Sequence, residues 1–216
     1  QNDCFYSNSN TYLISLCVKN PNNPVLVLRN ISYVSLDYSN IHNKKLSLNM
    51  MNIEEIEINS FENLIHLEYL DIISNNLLRL NHSLFQYLTN LLSLNLNLNK
   101  LSQLDNLTFV GLKKLIRLYL EFNNINIIES DCFKELIKLQ ILSLKSNQIL
   151  EISNKLFRNL NNLLQLDLSK NHIELIESNS FNSFENLETL NLESNNLSKI
   201  HGELFQNLAQ LKIIKL

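Results

Sequence analysis

Six asparagines stand 24 residues apart: Asn75, Asn99, Asn123, Asn147, Asn171 and Asn195. A primary carboxamide carries two N–H donors and an acceptor oxygen, and it does not titrate. Its chemistry is hydrogen bonding. A buried amide at each sharp turn can satisfy backbone groups that no strand pairs, so the series reads as a structural ladder bridging successive turns. Phe85, Phe109, Phe133, Phe157, Phe181 and Phe205 keep the same step. These read as core aromatics rather than as a stack for a cofactor.

Residues suited to catalysis are scattered. His42, His66, His82, His172 and His201 share no metal-ligand spacing, and Glu54-Glu55 and the other carboxylates read as solvated charges. There is no H-E-x-x-H pair, no nucleophile elbow and no phosphate-cradling loop, the only glycines being Gly111 and Gly202. The sequence therefore predicts no catalytic site, no metal and no cofactor. A net charge of −3 with pI near 6.0 offers no footprint for nucleic acid or acidic lipid. No apolar run is long enough to span a membrane, so no membrane contact is expected within this chain.

Two features concern the compartment. Cys4 and Cys17 flank the segment before the first regular unit, a spacing that predicts a disulfide stapling a small cap in an oxidising compartment. The alternative is two reduced thiols in a cytosolic protein. Cys132, beside Phe133, reads as a small packing residue. Four N-x-S/T triplets begin at Asn30, Asn81, Asn106 and Asn196, and are candidate glycosylation sites. With 37 asparagines in 216 residues such triplets arise by chance, so they do not prove secretion.

The elements that position these residues follow from the period. Leu67, Leu91, Leu115, Leu139, Leu163, Leu187 and Leu211 are also 24 apart. Within a unit the apolar marks match neither a helical nor a coiled-coil period, and Leu118-Tyr119-Leu120 alternates as a short strand does. A fixed period of this length predicts a solenoid whose units touch only their neighbours, presenting a long surface instead of one pocket. The marks Leu91, Leu94, Leu96, Asn99, Leu101, Leu104, Phe109 and Leu112 write out a pattern that resembles the leucine-rich repeat family, over roughly Pro24 to Leu216. The 24-residue form with a Phe is similar to the subclass found in Toll-like receptor ectodomains and small leucine-rich proteoglycans. The resemblance implies an α/β-type solenoid, a horseshoe with a parallel concave sheet of about nine short strands and an irregular or short-helical convex side. It also implies an extracellular location.

The expected organisation is a cysteine-containing N-terminal cap over residues 1–24 and a repeat array over 25–216. In the array, Leu26, Leu28, Leu36 and Ile41 align with Leu46, Leu48, Ile56 and Phe61 as a shortened first unit of 20 residues, and Met51 occupies an Asn slot. The last unit stops inside its strand, which predicts a fragment with repeats or a cap to follow; an apolar end that dimerises is the alternative. Nine parallel strands about 4.8 Å apart would span roughly 40 Å.

Function must lie at the variable concave positions. Most are small and polar, but Tyr69, Ile73, Leu98, Arg117, Tyr119, Phe122 and Ile141 gather over neighbouring strands, as aromatic, Arg and aliphatic residues do at binding hot spots. Scattered surface apolars are the plainer reading. Glu121 and Lys145 share a column and are expected to pair. The expected function is recognition of a protein, or a glycan, on the concave face of an extracellular receptor or secreted protein. An intracellular scaffold, or the substrate-recognition part of a larger enzyme, stand as alternatives.

Overall fold

A computed structural model describes residues 44–216 in full and, before them, the backbone of three strands, Cys4–Ser9, Tyr12–Val18 and Leu26–Tyr33. The repeated leucines build one parallel sheet of eight three-residue strands: Lys45–Ser47, Tyr69–Asp71, Ser93–Asn95, Arg117–Tyr119, Ile141–Ser143, Gln165–Asp167, Thr189–Asn191 and Ile213–Lys215. Each strand pairs with the equivalent strand of the next unit, residue i opposite i+24, as in Leu94 opposite Leu118 and Leu118 opposite Leu142. The period of the sequence is thus the register of the sheet. The central residue of each strand points into the core and its neighbours point to the concave face, because side chains alternate along a strand.

The convex side is built from turns. Among the described residues it holds no α-helix, only the 3-10 turn Gly202–Phe205 and two-residue strands such as Gln103–Leu104 with Ile127–Ile128 and Glu151–Ile152 with Leu175–Ile176. The convex side is of the irregular kind expected, because each wide segment closes on itself within three residues. The carbonyls of Phe61, Phe85, Phe109, Phe133 and Phe157 accept from the N–H three residues on, at 2.9–3.3 Å. Their rings run inward as a continuous stack with centroids 5.7–6.5 Å apart from Phe61 to Phe181. All six are essentially sealed from solvent. Cys132 lies in the buried column beside them, equivalent to Ser60, Thr108 and Ser180, and burial, then Asp105 and Glu129, push its thiol far above the ordinary range.

The strand count differs from the expectation at the N-terminal side. Leu26–Tyr33 does not lead the concave sheet as a shortened first unit. It pairs antiparallel with Tyr12–Val18 and parallel with Glu55–Ile56, in a separate four-stranded sheet. Spacing alone could not separate these cases, since two apolar marks in alternation fit a strand of either sheet. In the same sheet Cys4 lies opposite Cys17 in the antiparallel register. The side chains of Cys4 and Cys17, and that of the candidate glycosylation residue Asn30, lie outside the described residues.

Gly111 shows why one unit needs a glycine. Its φ is +92°, and a β-carbon there would sit 2.6 Å from the carbonyl oxygen and 2.9 Å from the Cα of Gln86 in the preceding unit. Both obstacles are backbone and cannot swing away. Gly111→Ala is expected to cost roughly 2–4 kcal/mol from backbone strain and overpacking. Gly202→Ala, which meets no atom within 4 Å, should be near neutral. Urea unfolding of the two variants measures the difference.

Candidate functional site

The amide ladder sets the geometry of the concave rim. The Oδ1 of Asn123 accepts the N–H of Leu101, 22 residues earlier, at 3.1 Å, and its Nδ2 donates to the carbonyls of Leu96 and Leu120 at 3.1 Å each. Asn99, Asn147, Asn171 and Asn195 repeat the arrangement, and Asn75 accepts from both Met51 and Ile53. Every ladder amide therefore closes the turn of the unit before it. Met51, in the slot with no amide, is served from Asn75.

The residue just before each ladder position is forced into the left-handed region. Met50, Ser74, Leu98, Phe122, Ser146, Lys170 and Ser194 have φ between 54° and 59°. Their N–H groups still extend the sheet ladder, as when Leu98 donates to the carbonyl of Glu121 and Phe122 to that of Lys145. Non-glycine residues carry a cost of about 1 kcal/mol or more in this region. Ser fits it more readily than a bulky side chain. Yet Leu98 and Phe122 are 49% and 48% exposed, so burial does not offset their strain. Met50 is a third such residue, 77% exposed; it is not among the seven candidates, because nothing in its spacing separates a left-handed turn from an ordinary one.

Of the seven candidate residues, the structure brings five together. Arg117 lies beside Ile141 in register, and Tyr119 lies between Asn95 and Ser143. Leu98 and Phe122 follow one another on the adjoining rim. Tyr69 is set two strands from Arg117, with Ser93 between them, and Ile73 sits past the end of its strand with its N–H held by Asn49 Oδ1 at 2.7 Å. Glu121 and Lys145 do not form the expected ion pair. The ion pair on this sheet is instead Lys45 with Asp71, at 2.7 Å and near its N-terminal edge. Backbone register brings columns side by side, but long side chains on a strand can lean away from one another.

On the convex side, Asn81 is half-buried and its Nδ2 donates to the Ile56 carbonyl at 2.6 Å. Asn106 and Asn196 are exposed. Asn81 and His82 also line a shallow hollow of about 450 Å3 with Glu57, Ile58 and Asn59, away from the concave face. No group of His, Cys, Asp or Glu among the described residues could hold a metal ion, and no described helix is long and apolar enough to cross a membrane.

The comparisons bear on this geometry. A chain of an internalin from Listeria monocytogenes is 27% identical with a TM-score of 0.61, over 80% of this chain and 47% of that one. Toll, from the Toll–Spatzle complex of Drosophila, is 16% identical with a TM-score of 0.67, over 99% and 38%. A leucine-rich repeat protein of Leptospira interrogans is 24% identical with a TM-score of 0.68, over 84% and 51%. This chain thus spans about half the length of these structures or less. No curated protein matches it. The family model described as "Leucine rich repeat" matches in overlapping windows, 65–125, 89–149, 113–173, 137–197 and 166–216. The first four windows follow the same step as the amide ladder and the phenylalanine stack, and the five together cover well over half of the sequence, so the chain belongs to the leucine rich repeat family.

Proposed function

We propose that this chain is an extracellular recognition module that holds a protein ligand on its concave face, around Leu98, Arg117, Tyr119, Phe122 and Ile141, with Tyr69 and Ile73 at the margin. Leucine-rich repeat arrays are typically non-catalytic modules of protein–protein recognition. The observation that carries the site is the pair Leu98 and Phe122. Two bulky side chains occupy a left-handed turn position and remain half exposed, so they cost folding energy without returning core burial. A binding role explains their retention, since buried aromatic and aliphatic anchors supply most of the energy of an interface.

Toll, in its complex with Spatzle, is an example of such an array with a protein ligand. The internalin and Leptospira neighbours come from bacteria, so the location of this chain rests on its own features. Directly opposed residues of an antiparallel pair lie at Cα separations of about 4.5–5.5 Å, within the span a disulfide requires, which supports the Cys4–Cys17 staple. Exposed Asn106 and Asn196 are suited to carry glycans, and Asn106 sits on the convex side, clear of the proposed face. Asn30 and Asn81 are the remaining candidates.

Two measurements test this. Phe122→Asn is expected to stabilise the free chain by about 1 kcal/mol, because Asn accepts the left-handed conformation. The same substitution, and Tyr119→Ala, should weaken a ligand selected against the folded chain by about 1–4 kcal/mol. Unchanged affinity in both variants places the site elsewhere. For the compartment, thiol titration in denaturant of protein from its native source should find one free thiol, Cys132; finding three sinks the secreted reading in favour of an intracellular scaffold.

A further inference from the structure

The concave site contains hydrogen-bond donors that no protein group answers. Arg117 and Tyr119 face outward from either end of their strand while Leu118 is buried between them. Most of the described Lys and Arg side chains are exposed and, like Arg117, have no carboxylate within ion-pair distance. Arg117, like Lys145, differs from them in burial. It is half-buried, and its register neighbours Ser93 and Ile141 carry no charge. Partial burial of an arginine falls first on its aliphatic stem, which leaves the guanidinium free to take a partner from solution. Ser143, opposite Tyr119 on the next strand, is only 5% exposed, and its hydroxyl has no hydrogen-bond partner. The Tyr119 hydroxyl makes no hydrogen bond either.

Guanidinium groups only donate, and both hydroxyls can donate. Three unanswered donors beside Ile141, Leu98 and Phe122 are matched by an acceptor oxygen, and a carboxylate fits the fork of an arginine in two parallel bonds. The surroundings limit how much charge can arrive. Asp167 lies beside Ser143 in register, its Oδ1 accepting the Ser169 N–H, and Glu121 follows Tyr119 by two residues without an ion-pair partner. Lys145, half-buried in the column of Glu121, offsets one of these carboxylates, and the net charge of −3 still disfavours a polyanion such as a sulfated glycan.

We infer that Arg117 pairs with a single Asp or Glu side chain of a protein partner, presented within an apolar segment that Tyr119, Ile141, Leu98 and Phe122 receive. This rests on the concave recognition reading and names the chemistry of its ligand. Ser143 supplies a further donor once the side chains covering it move aside.

The test uses two immobilised random nonapeptide libraries of equal composition, one with a fixed central Glu and one with a fixed central Gln. The folded chain should be retained at least tenfold better by the Glu library. Arg117→Gln should remove that preference with an unchanged unfolding curve. Arg117→Lys should restore part of it. Ser143→Ala should weaken retention a few-fold while raising Tm by roughly 2–4 °C, because it deletes an unsatisfied buried hydroxyl. Equal retention by both libraries overturns the inference, as does a preference untouched by Arg117→Gln, or no retention on either. If equal retention is lost in Tyr119→Ala and Phe122→Ala, only the carboxylate is wrong and the concave surface stands. If those variants retain equally well, both readings fall.

Discussion

Phe133→Ala is expected to lower stability by about 4–5 kcal/mol, the upper part of the range for emptying a fully buried aromatic site. Phe133 is sealed from solvent and sits between Phe109 and Phe157, at centroid distances of 5.7 and 6.3 Å. Its removal leaves a cavity and also breaks two ring contacts, each worth about 0.5–1.5 kcal/mol. The surrounding turn cannot collapse to fill the gap, because the Phe133 carbonyl holds the Leu136 N–H at 3.0 Å and the units on either side keep their own spacing. Phe133→Leu, which retains most of the volume, should cost about 1–2 kcal/mol. Phe205→Ala should fall below Phe133→Ala, since Phe205 is only partly buried. Urea unfolding followed by circular dichroism ranks the three, and an equal loss at Phe133 and Phe205 would refute the stacked core as the source of stability.

Asn123→Ala is the second large effect, at roughly 2–4 kcal/mol. The reason lies in which partners have a substitute. The carbonyls of Leu96 and Leu120 also accept from Asn99 and Asn147, so each keeps one donor when Asn123 is truncated. The buried Leu101 N–H has the Asn123 oxygen as its side-chain acceptor and is left orphaned. The loss therefore comes mainly from one unsatisfied amide and the vacated volume. Asn195→Ala removes the same acceptor from Ile173 but sits in a half-buried turn, where water can replace it, and should cost about half as much. Equal losses at the two positions would mean that the amide contributes by filling space rather than by serving the N–H.

The structural half of the repeat was legible because burial is strict. Each Leu, Asn and Phe mark meets nearly the same surroundings in the interior units, and a repeated environment leaves a repeated letter. What varies was legible only as an outlier. Tyr69 shares its column with Arg117, with Ser93 between them, and Ile73 shares its column with Glu121; the sheet register keeps that spacing and leaves both residues at the margin of the patch. The left-handed turn was hidden for a different reason. Its seven occupants include no Gly and no Asn, the residues that normally announce such a backbone. The conformation is imposed by the neighbouring amide ladder and the sheet, so the residue that suffers it carries no signature. Leu26 and Leu28 fit a strand of either sheet, because strand alternation does not say which sheet a strand joins.

The ladder has a direction. Each Asn side chain reaches toward the N-terminus, closing a turn whose N–H lies 22 residues upstream. Synthesis on the ribosome runs the other way. A turn that has just emerged has an N–H that no side chain answers until most of another unit has been translated. The nascent array is thus always one coil behind its own length, and a pause in translation strands the newest coil open while every earlier one is already locked.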